Sequence, residues 1–223
     1  MEKQMKIEEL LDLSHTIAAD LFREKTYPWE VLGEISAFIE KLGETLPTEE
    51  FDHPQAGVWI AKDAKVFPSA YIGAPCIIDH GAEVRHCAFI RGSAIVGKNA
   101  VVGNSVELKN VVLFDNVQVP HYNYVGDSVL GYKAHMGAGS ITSNVKSDKT
   151  LVVVKGDEQI ETGRKKFGAI LGDHVEVGCN SVLNPGTVIG PNTNIYPTSC
   201  VRGVVPPGSI WKTGGVVVPK KSN

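Results

Sequence analysis

At 223 residues the chain can bury a sizeable core, as one domain or two small ones. Its 43% hydrophobic and 21% charged residues exclude a disordered or collagen-like polymer, and 22 Lys+Arg against 25 Asp+Glu (net −3) argues against a general nucleic-acid binder. No apolar run approaches the roughly 18–20 residues that span a bilayer, so no membrane partner is expected. The first six residues, Met1 to Lys6, are charged and lack the apolar stretch of a secretory signal, which makes the cytoplasm the expected location. Cys76, Cys87, Cys179 and Cys200 form no CxxC pair, so neither a zinc knuckle nor a disulfide framework is expected.

Residues 1–50 carry 12 of the 25 acidic residues, 5 of the 22 basic ones and a single valine, Val31. They read as a small helical hairpin. Ile7, Leu10, Leu11, Ile17, Ala18, Leu21 and Phe22 fall at helical spacing. Pro28 stands at a first helical position, Val31, Leu32, Ile35, Phe38, Ile39 and Leu42 form a second stripe, and Gly43 is the stop. Nothing in this segment carries chemistry. Residues 44–57 read as a linker.

The next segment, 58–210, is a repeat. Every sixth residue from Ile60 is large and apolar: Val66, Ile72, Ile78, Val84, Ile90, Val96, Val102, Leu108, Phe114. Four residues after each stands a small or apolar residue, from Ala64 to Val112, and only the tenth, Gln118, departs. The pattern breaks near Pro120, resumes at Leu130 and Met136, and returns at Leu171, Val177, Leu183, Ile189, Ile195 and Val201. A period of six fits neither a helix nor a two-sided strand. It is the signature of hexapeptide repeats, three of which make one triangular coil of a parallel β-helix. Residues 143–170 interrupt the repeat as an excursion. There Leu151 to Val154 and Gln159 to Thr162 flank Lys155-Gly156-Asp157 as a β-hairpin, a natural place for a binding loop.

With coils of about 18 residues, Arg91 and Lys109, which are 18 apart, stack on adjacent coils. Two cations so close suggest a phosphate or carboxylate site; the plainer reading is a solvated pair relieved by Glu107. His121 falls where the repeat breaks and can serve as a general base or as a structural histidine. Asn144, at the root of the excursion, can orient a substrate or cap a turn.

These residues carry a resemblance. The chain is similar from about residue 60 to about 210 to the hexapeptide-repeat acetyltransferase domain of bifunctional N-acetylglucosamine-1-phosphate uridyltransferase/glucosamine-1-phosphate acetyltransferase enzymes. It is most like the archaeal sugar-1-phosphate nucleotidylyltransferase/acetyltransferase branch. The stretches that carry it are Asn104 to Lys109, His121 to Asp127, Gly137-Ala138-Gly139-Ser140-Ile141-Thr142-Ser143-Asn144 and Gly163 to Ala169. The resemblance implies a left-handed coil, a homotrimer, and acetyl transfer from acetyl-CoA to an amino-sugar 1-phosphate in nucleotide-sugar biosynthesis, with no metal needed. It implies His121 as the base, the Ala138 N–H as the oxyanion donor, and Arg91, Lys109, Tyr124 and Asn144 as sugar-phosphate contacts. Counting back from Gly172-Asp173 sets Lys166-Phe167 on the family's Lys-Phe pair, which makes Lys166 a substrate contact. Cys179 stands where bacterial members have a coenzyme-contacting serine, and His135 where they have an asparagine.

The nucleotidyltransferase domain of those enzymes has no counterpart here and no Gly-rich nucleotide loop appears, so that activity is not expected of this chain and a separate nucleotidyltransferase partner is left open. Two other classes remain: a non-catalytic trimeric scaffold, and a γ-carbonic-anhydrase-like zinc enzyme using His80 and His86.

Overall fold

The computed structural model describes residues 5–221. It is mainly β, a left-handed parallel β-helix of about nine turns with few helices. Each coil has three faces. The first carries short strands such as Tyr71–Ile72, Phe89–Ile90, Ile141–Thr142 and Val182–Leu183. The second runs from Lys65–Val66 through Val101–Asn104, Gln118–His121, His135–Met136 and Asn194–Ile195 to Ser209–Lys212, which Val216–Pro219 flanks in antiparallel. The third runs from Val58–Ala61 through Cys76–Ile78, Ala94–Val96 and Ala169–Leu171 to Val204–Val205. Two longer strands, Glu107–Leu113 and Tyr124–Leu130, bend around the corner from the first face to the third.

The large residue of each hexad fills the interior, as its spacing predicts: Ile78, Val84, Ile90, Val96, Val102 and Leu108 are fully buried. The repeat does not stop near Pro120. It slips, because Val96 pairs with Leu113 rather than Phe114, and the interior line continues through Val119, Val125 and Leu130. The steps Leu108 to Leu113 and Val125 to Leu130 are five residues, so both coils lose one residue at the corner where Asn110 and Asp127 stand. These two residues adopt φ of 56° and 49°, a left-handed conformation that asparagine and aspartate tolerate better than most side chains. Phe114, displaced from the interior line, packs edge-on against Phe22 with ring centroids 5.6 Å apart.

The outward residues of the third face are apolar on every coil. Trp59, Ile77, Ile95, Val112, Val129, Ile170, Val188 and Val204 follow one another in ladder register, and all are buried. The N-terminal segment and the excursion cover them. Helix Ile35–Gly43 lies on strands Cys76–Ile78, Ala94–Val96 and Glu107–Leu113, the 3-10 helix Pro28–Gly33 lies on Tyr124–Leu130, and hairpin strand Val153–Lys155 lies on Thr187–Ile189. Each large aliphatic side chain so buried is worth roughly 1.5–3 kcal/mol, which is why both accessory pieces hug the solenoid. The hairpin, Val153–Lys155 against Gln159–Glu161, lies flat on this face, with Val152 and Val154 fully buried.

The first half of the N-terminal segment is not one continuous helix. Helix Ile7–Leu10 ends at Leu11, which is extended (φ −135°, ψ 129°), and 3-10 turns follow at Leu13–His15 and Ala19–Phe22. The solenoid takes the backbone groups that a longer helix would have used. The Leu10 carbonyl accepts from the Asp173 N–H (3.0 Å), the Asp12 N–H donates to Asp173 Oδ2 (2.8 Å), and the Asp115 N–H donates to the His15 carbonyl (3.0 Å). The His15 ring stacks on Tyr132 at 3.7 Å.

Asp79, on the next corner, is the costly exception. It is fully buried, its Oδ1 accepts from the His80 N–H (2.8 Å) and its Oδ2 has no partner among the described residues, so burial pushes its carboxyl above the usual range. Between the unfolded and the raised folded value, the folded chain therefore binds this proton more tightly than the unfolded chain. The resulting stability is complete below the unfolded carboxylate value of about 3.9 and declines as pH rises through the higher folded value. Asp79→Asn is expected to raise the neutral-pH melting temperature by about 2–4 °C, the equivalent of about 1 kcal/mol. That gain should shrink to nothing near about pH 4. Melting curves at the two pH values check it; an unchanged or lower neutral-pH midpoint would count against an uncompensated carboxylate.

Candidate active site

The ladder register assembles the residues singled out from sequence into two groups on opposite edges of the first face. The first is a column at the corner between the second and first faces. Strand Gln118–His121 pairs in parallel with His135–Met136, Gln118 opposite His135, and the latter pairs with Glu176–Val177, His135 opposite Glu176. Extended by three residues, this register sets His121, Ala138 and Cys179 one above another on successive coils. The Gly139 N–H donates to the His121 carbonyl (3.0 Å) and the Asn180 N–H to the Ala138 carbonyl (2.9 Å), as that register requires. Neighbouring coils stand about 4.8 Å apart. His121 and Cys179 are exposed, and the Ala138 N–H donates to no acceptor among the described residues.

Asn123 locks this corner. It is buried, its Oδ1 accepts from the His121 N–H (3.1 Å), and its Nδ2 donates to the Gly137 and Ser140 carbonyls (2.9 and 3.0 Å). The preceding residue, Tyr122, has φ 52° and a ring 65% exposed. Gly137 is needed because a Cβ there would meet Cys179 N at 2.7 Å. His135, outside the column, lies 2.7 Å from Glu176 through Nδ1.

The second group gathers around Asp127, at the corner with the third face. Phe89 and Ile90 pair with Glu107 and Leu108, so Arg91 and Lys109 stack on adjacent coils as their spacing predicts. Each already has a carboxylate: Arg91 Nη1 donates to Glu107 (2.9 Å), and Lys109 Nζ lies 3.1 and 3.3 Å from the two oxygens of Asp127. The Arg91 pair is open to solvent and adds little stability, whereas Asp127 is only 3% exposed. Asp127 also accepts from Asn144 Nδ2 (2.6 Å) and Asn110 Nδ2 (2.9 Å), and its carbonyl takes the Gly168 N–H (2.8 Å).

Asn144 Nδ2 donates in turn to the Tyr124 hydroxyl at 3.1 Å. Burial, then the neighbouring carboxylates of Asp127 and Glu107, push the Tyr124 phenol above its usual value, so its proton stays on at neutral pH. Gly126 makes room for the ring; a Cβ there would fall 2.4 Å from the Tyr124 hydroxyl oxygen. An antiparallel bridge between Val145 and Lys166 closes the neck of the excursion, and the Phe167 N–H donates to the Asn144 carbonyl (3.0 Å), which brings exposed Lys166 beside this group. Two cations, Arg91 and Lys109, thus pair with two carboxylates, Glu107 and Asp127, with the Lys166 backbone close by.

Tyr122 to Gly126 link His121 of the column to Asp127 of the cationic group, so the two groups stand at the two edges of the first face. Sequence reasoning singled out every member of the two groups except Asp127, Asn110 and Asn123, which act through neighbours on other coils.

Elsewhere, His80 Nδ1 lies 2.9 Å from Asp63 and its Nε2 3.3 Å from Glu50, while His86 Nδ1 lies 2.9 Å from Ser69 Oγ. Among the described residues no group of three His, Cys, Asp or Glu side chains is arranged to hold a metal ion, and no helix is long and apolar enough to cross a membrane.

Residues 72–199 match the family model of the GMPPB C-terminal domain, more than half of the chain. The chain belongs to the GMPPB C-terminal domain family. Within that region lie Arg91, Lys109, His121, Tyr124, Asp127, Ala138, Asn144, Lys166 and Cys179. The chain is 39% identical over 103 residues to a bifunctional sugar-1-phosphate nucleotidylyltransferase/acetyltransferase of Sulfurisphaera tokodaii, 45% of this chain and 25% of that one. It is 33% identical over 113 residues to the bifunctional protein GlmU of Methanococcus maripaludis, 50% of this chain and 28% of that one. It therefore spans about a quarter of the length of these curated relatives. Among solved structures it is similar to a mutant of GDP-perosamine N-acetyl transferase from Caulobacter crescentus in complex with CoA and GDP-perosamine, with 17% identity, a TM-score of 0.29, and coverage of 74% of this chain and 57% of that one.

Proposed function

We propose that the chain is an acetyl-CoA-dependent N-acetyltransferase acting on an amino-sugar 1-phosphate of the glucosamine 1-phosphate kind, in nucleotide-sugar biosynthesis. The observation that carries this reading is the placement of His121 one coil from Ala138, whose N–H has no acceptor among the described residues, with Arg91, Lys109, Tyr124 and Asn144 across the same face. The name of the Sulfurisphaera tokodaii relative, a bifunctional sugar-1-phosphate nucleotidylyltransferase/acetyltransferase, points the same way.

The chemistry asked of these residues is modest. The acceptor ammonium first loses a proton to water or buffer, and the free amine then attacks the thioester carbonyl of acetyl-CoA. The neutral His121 imidazole takes the second proton as the C–N bond forms. The Ala138 N–H faces the oxygen on which negative charge builds, and the C–S bond breaks to release the thiol of CoA, which recovers a proton from His121. Arg91, Lys109 and Lys166 bind the phosphate, while the protonated Tyr124 and Asn144 hold sugar oxygens, so that much of the rate comes from orientation. Cys179, stacked on Ala138, lies where the coenzyme would pass.

The site is an open shelf, and excluding water from it calls for a second surface. A homotrimer, with the first face of one copy against the next, supplies such a wall and covers Tyr71 and Phe89, which form an exposed aromatic pair on this face. Cytoplasmic location and a separate nucleotidyltransferase partner complete the reading. The ion pairs that already engage Arg91 and Lys109 favour the alternative of a non-catalytic scaffold.

Free-thiol release from acetyl-CoA, with glucosamine 1-phosphate and galactosamine 1-phosphate as acceptors, separates the two. Turnover that requires the acceptor is expected of the enzyme, and Lys109→Ala should raise the KM for the acceptor about tenfold, the worth of one charge-assisted contact. Absence of both turnover and acetyl-CoA binding would leave the scaffold.

A further inference from the structure

We infer that Asn110 is a positioning residue through which the N-terminal segment fixes the phosphate-binding side of the site, an inference that rests on the acetyltransferase reading above. The Asn110 side chain has two amide hydrogens, and Nδ2 stands 2.9 Å from the Leu32 carbonyl oxygen and 2.9 Å from Asp127 Oδ1. Leu32 belongs to Pro28–Gly33, the 3-10 helix that packs on Tyr124–Leu130 from outside the solenoid. One amide therefore joins an element that belongs to no coil to the carboxylate at the centre of the cationic group.

The register makes this bridge possible. Lys109 pairs with Gly126 and Val111 with Ser128, so Asn110 lies directly beneath Asp127 on the preceding coil, each the turning residue of a shortened corner. A six-residue step would place two residues at this corner and break the alignment.

The consequence concerns what holds the Asp127 carboxylate in its plane. Its other side-chain donors are Lys109, on a flexible stem, and Asn144, at the root of the excursion. Both belong to the group that would bind the sugar phosphate, so neither can serve as a fixed reference for the other. Asn110 is anchored to the backbone at Leu32, which makes it the fixed point. With the carboxylate set, the Lys109 ammonium and the Asn144 amide stand at defined places, and Tyr124 follows through its bond to Asn144. Residues 28–33 thereby act on the site without touching substrate.

Two variants test this. Asn110→Gly removes both hydrogen bonds yet suits a positive φ, so backbone strain does not confuse the result. Asn110→Asp keeps the shape but turns the donor into a second carboxylate facing Asp127. Steady-state kinetics with glucosamine 1-phosphate should show its KM raised about tenfold in Asn110→Gly and more in Asn110→Asp, with the KM for acetyl-CoA unchanged. Equal changes in both KM values, or a lowered melting temperature with neither KM altered, would overturn the inference. If the wild-type chain turns over no acceptor, the acetyltransferase reading fails by itself. A crystal structure of Asn110→Gly then decides the positioning role: Lys109 and Asn144 displaced from Asp127 would support it, and both unmoved would overturn it.

Discussion

His121→Ala is expected to slow acetyl transfer by roughly a hundred- to ten-thousand-fold, the range for loss of a general base. It should leave the melting temperature within about 1–2 °C, because a surface side chain remote from the core contributes little to stability. The separation is sharp because of where the residue sits. Its backbone N–H is tied to buried Asn123 and its carbonyl to Gly139, while the ring is exposed. Removing the imidazole therefore takes away chemistry and leaves the corner standing. Thiol release and a thermal melt on the same preparation provide both numbers, and a loss smaller than about tenfold would remove His121 from the role of base.

Asp127→Ala is expected to do the reverse, damaging fold and site together. Its carboxylate is almost wholly buried and receives Lys109, Asn110 and Asn144 at once. Removing one member of a buried pair leaves the other charge uncompensated and costs about 3–5 kcal/mol, on the order of 10 °C in melting temperature for a chain of this size. Alanine also adapts poorly to the φ of 49° at this corner, which adds to the loss. Asp127→Asn keeps the shape and the conformation and should lose less than half as much. Urea titration of the three proteins gives the comparison, and an Asp127→Ala chain as stable as wild type would mean that Lys109 and the two amides are satisfied without it.

These two residues also illustrate what could be read before any coordinates. The interior of the solenoid was plain, since a large apolar residue every six positions has no other common explanation. Stacking of Arg91 on Lys109 was plain too, because their separation equals one regular coil. The column of His121, Ala138 and Cys179 was hidden by its intervals: 17 residues, through the shortened coil, and then 41, through the excursion. Family likeness named its members, and only the strand register brings them into line. Asp127 and Asn110 were missed because their importance comes from a corner one residue tighter than the repeat allows. The signal was present as five-residue steps, Leu108 to Leu113 and Val125 to Leu130, each containing an Asn or Asp able to turn left-handed.

The covering of the third face follows the same lesson. The second apolar residue on each of its strands, Ile77, Ile95, Val112, Val129, Ile170 and Val188, recurs once per coil and points away from the interior. A solvated face would carry polar residues there, as the second face does at Lys65, Glu83, Gln118 and Glu176. That contrast alone calls for a cover, and the amphipathic residues 7–43 supply much of it. What no local pattern could give was the break at Leu11, where hydrogen bonds to Asp173 compete successfully with helix continuation.

The measurement that bears most directly on the central claim is the identity of the product. Wild-type chain, acetyl-CoA and glucosamine 1-phosphate would be incubated together, and the recovered sugar analysed by mass spectrometry and proton NMR. The account predicts a single acetyl group carried as an amide on the sugar nitrogen, with one thiol released for each product formed. An acetyl ester on a hydroxyl, or an unchanged sugar in the presence of bound acetyl-CoA, would contradict it.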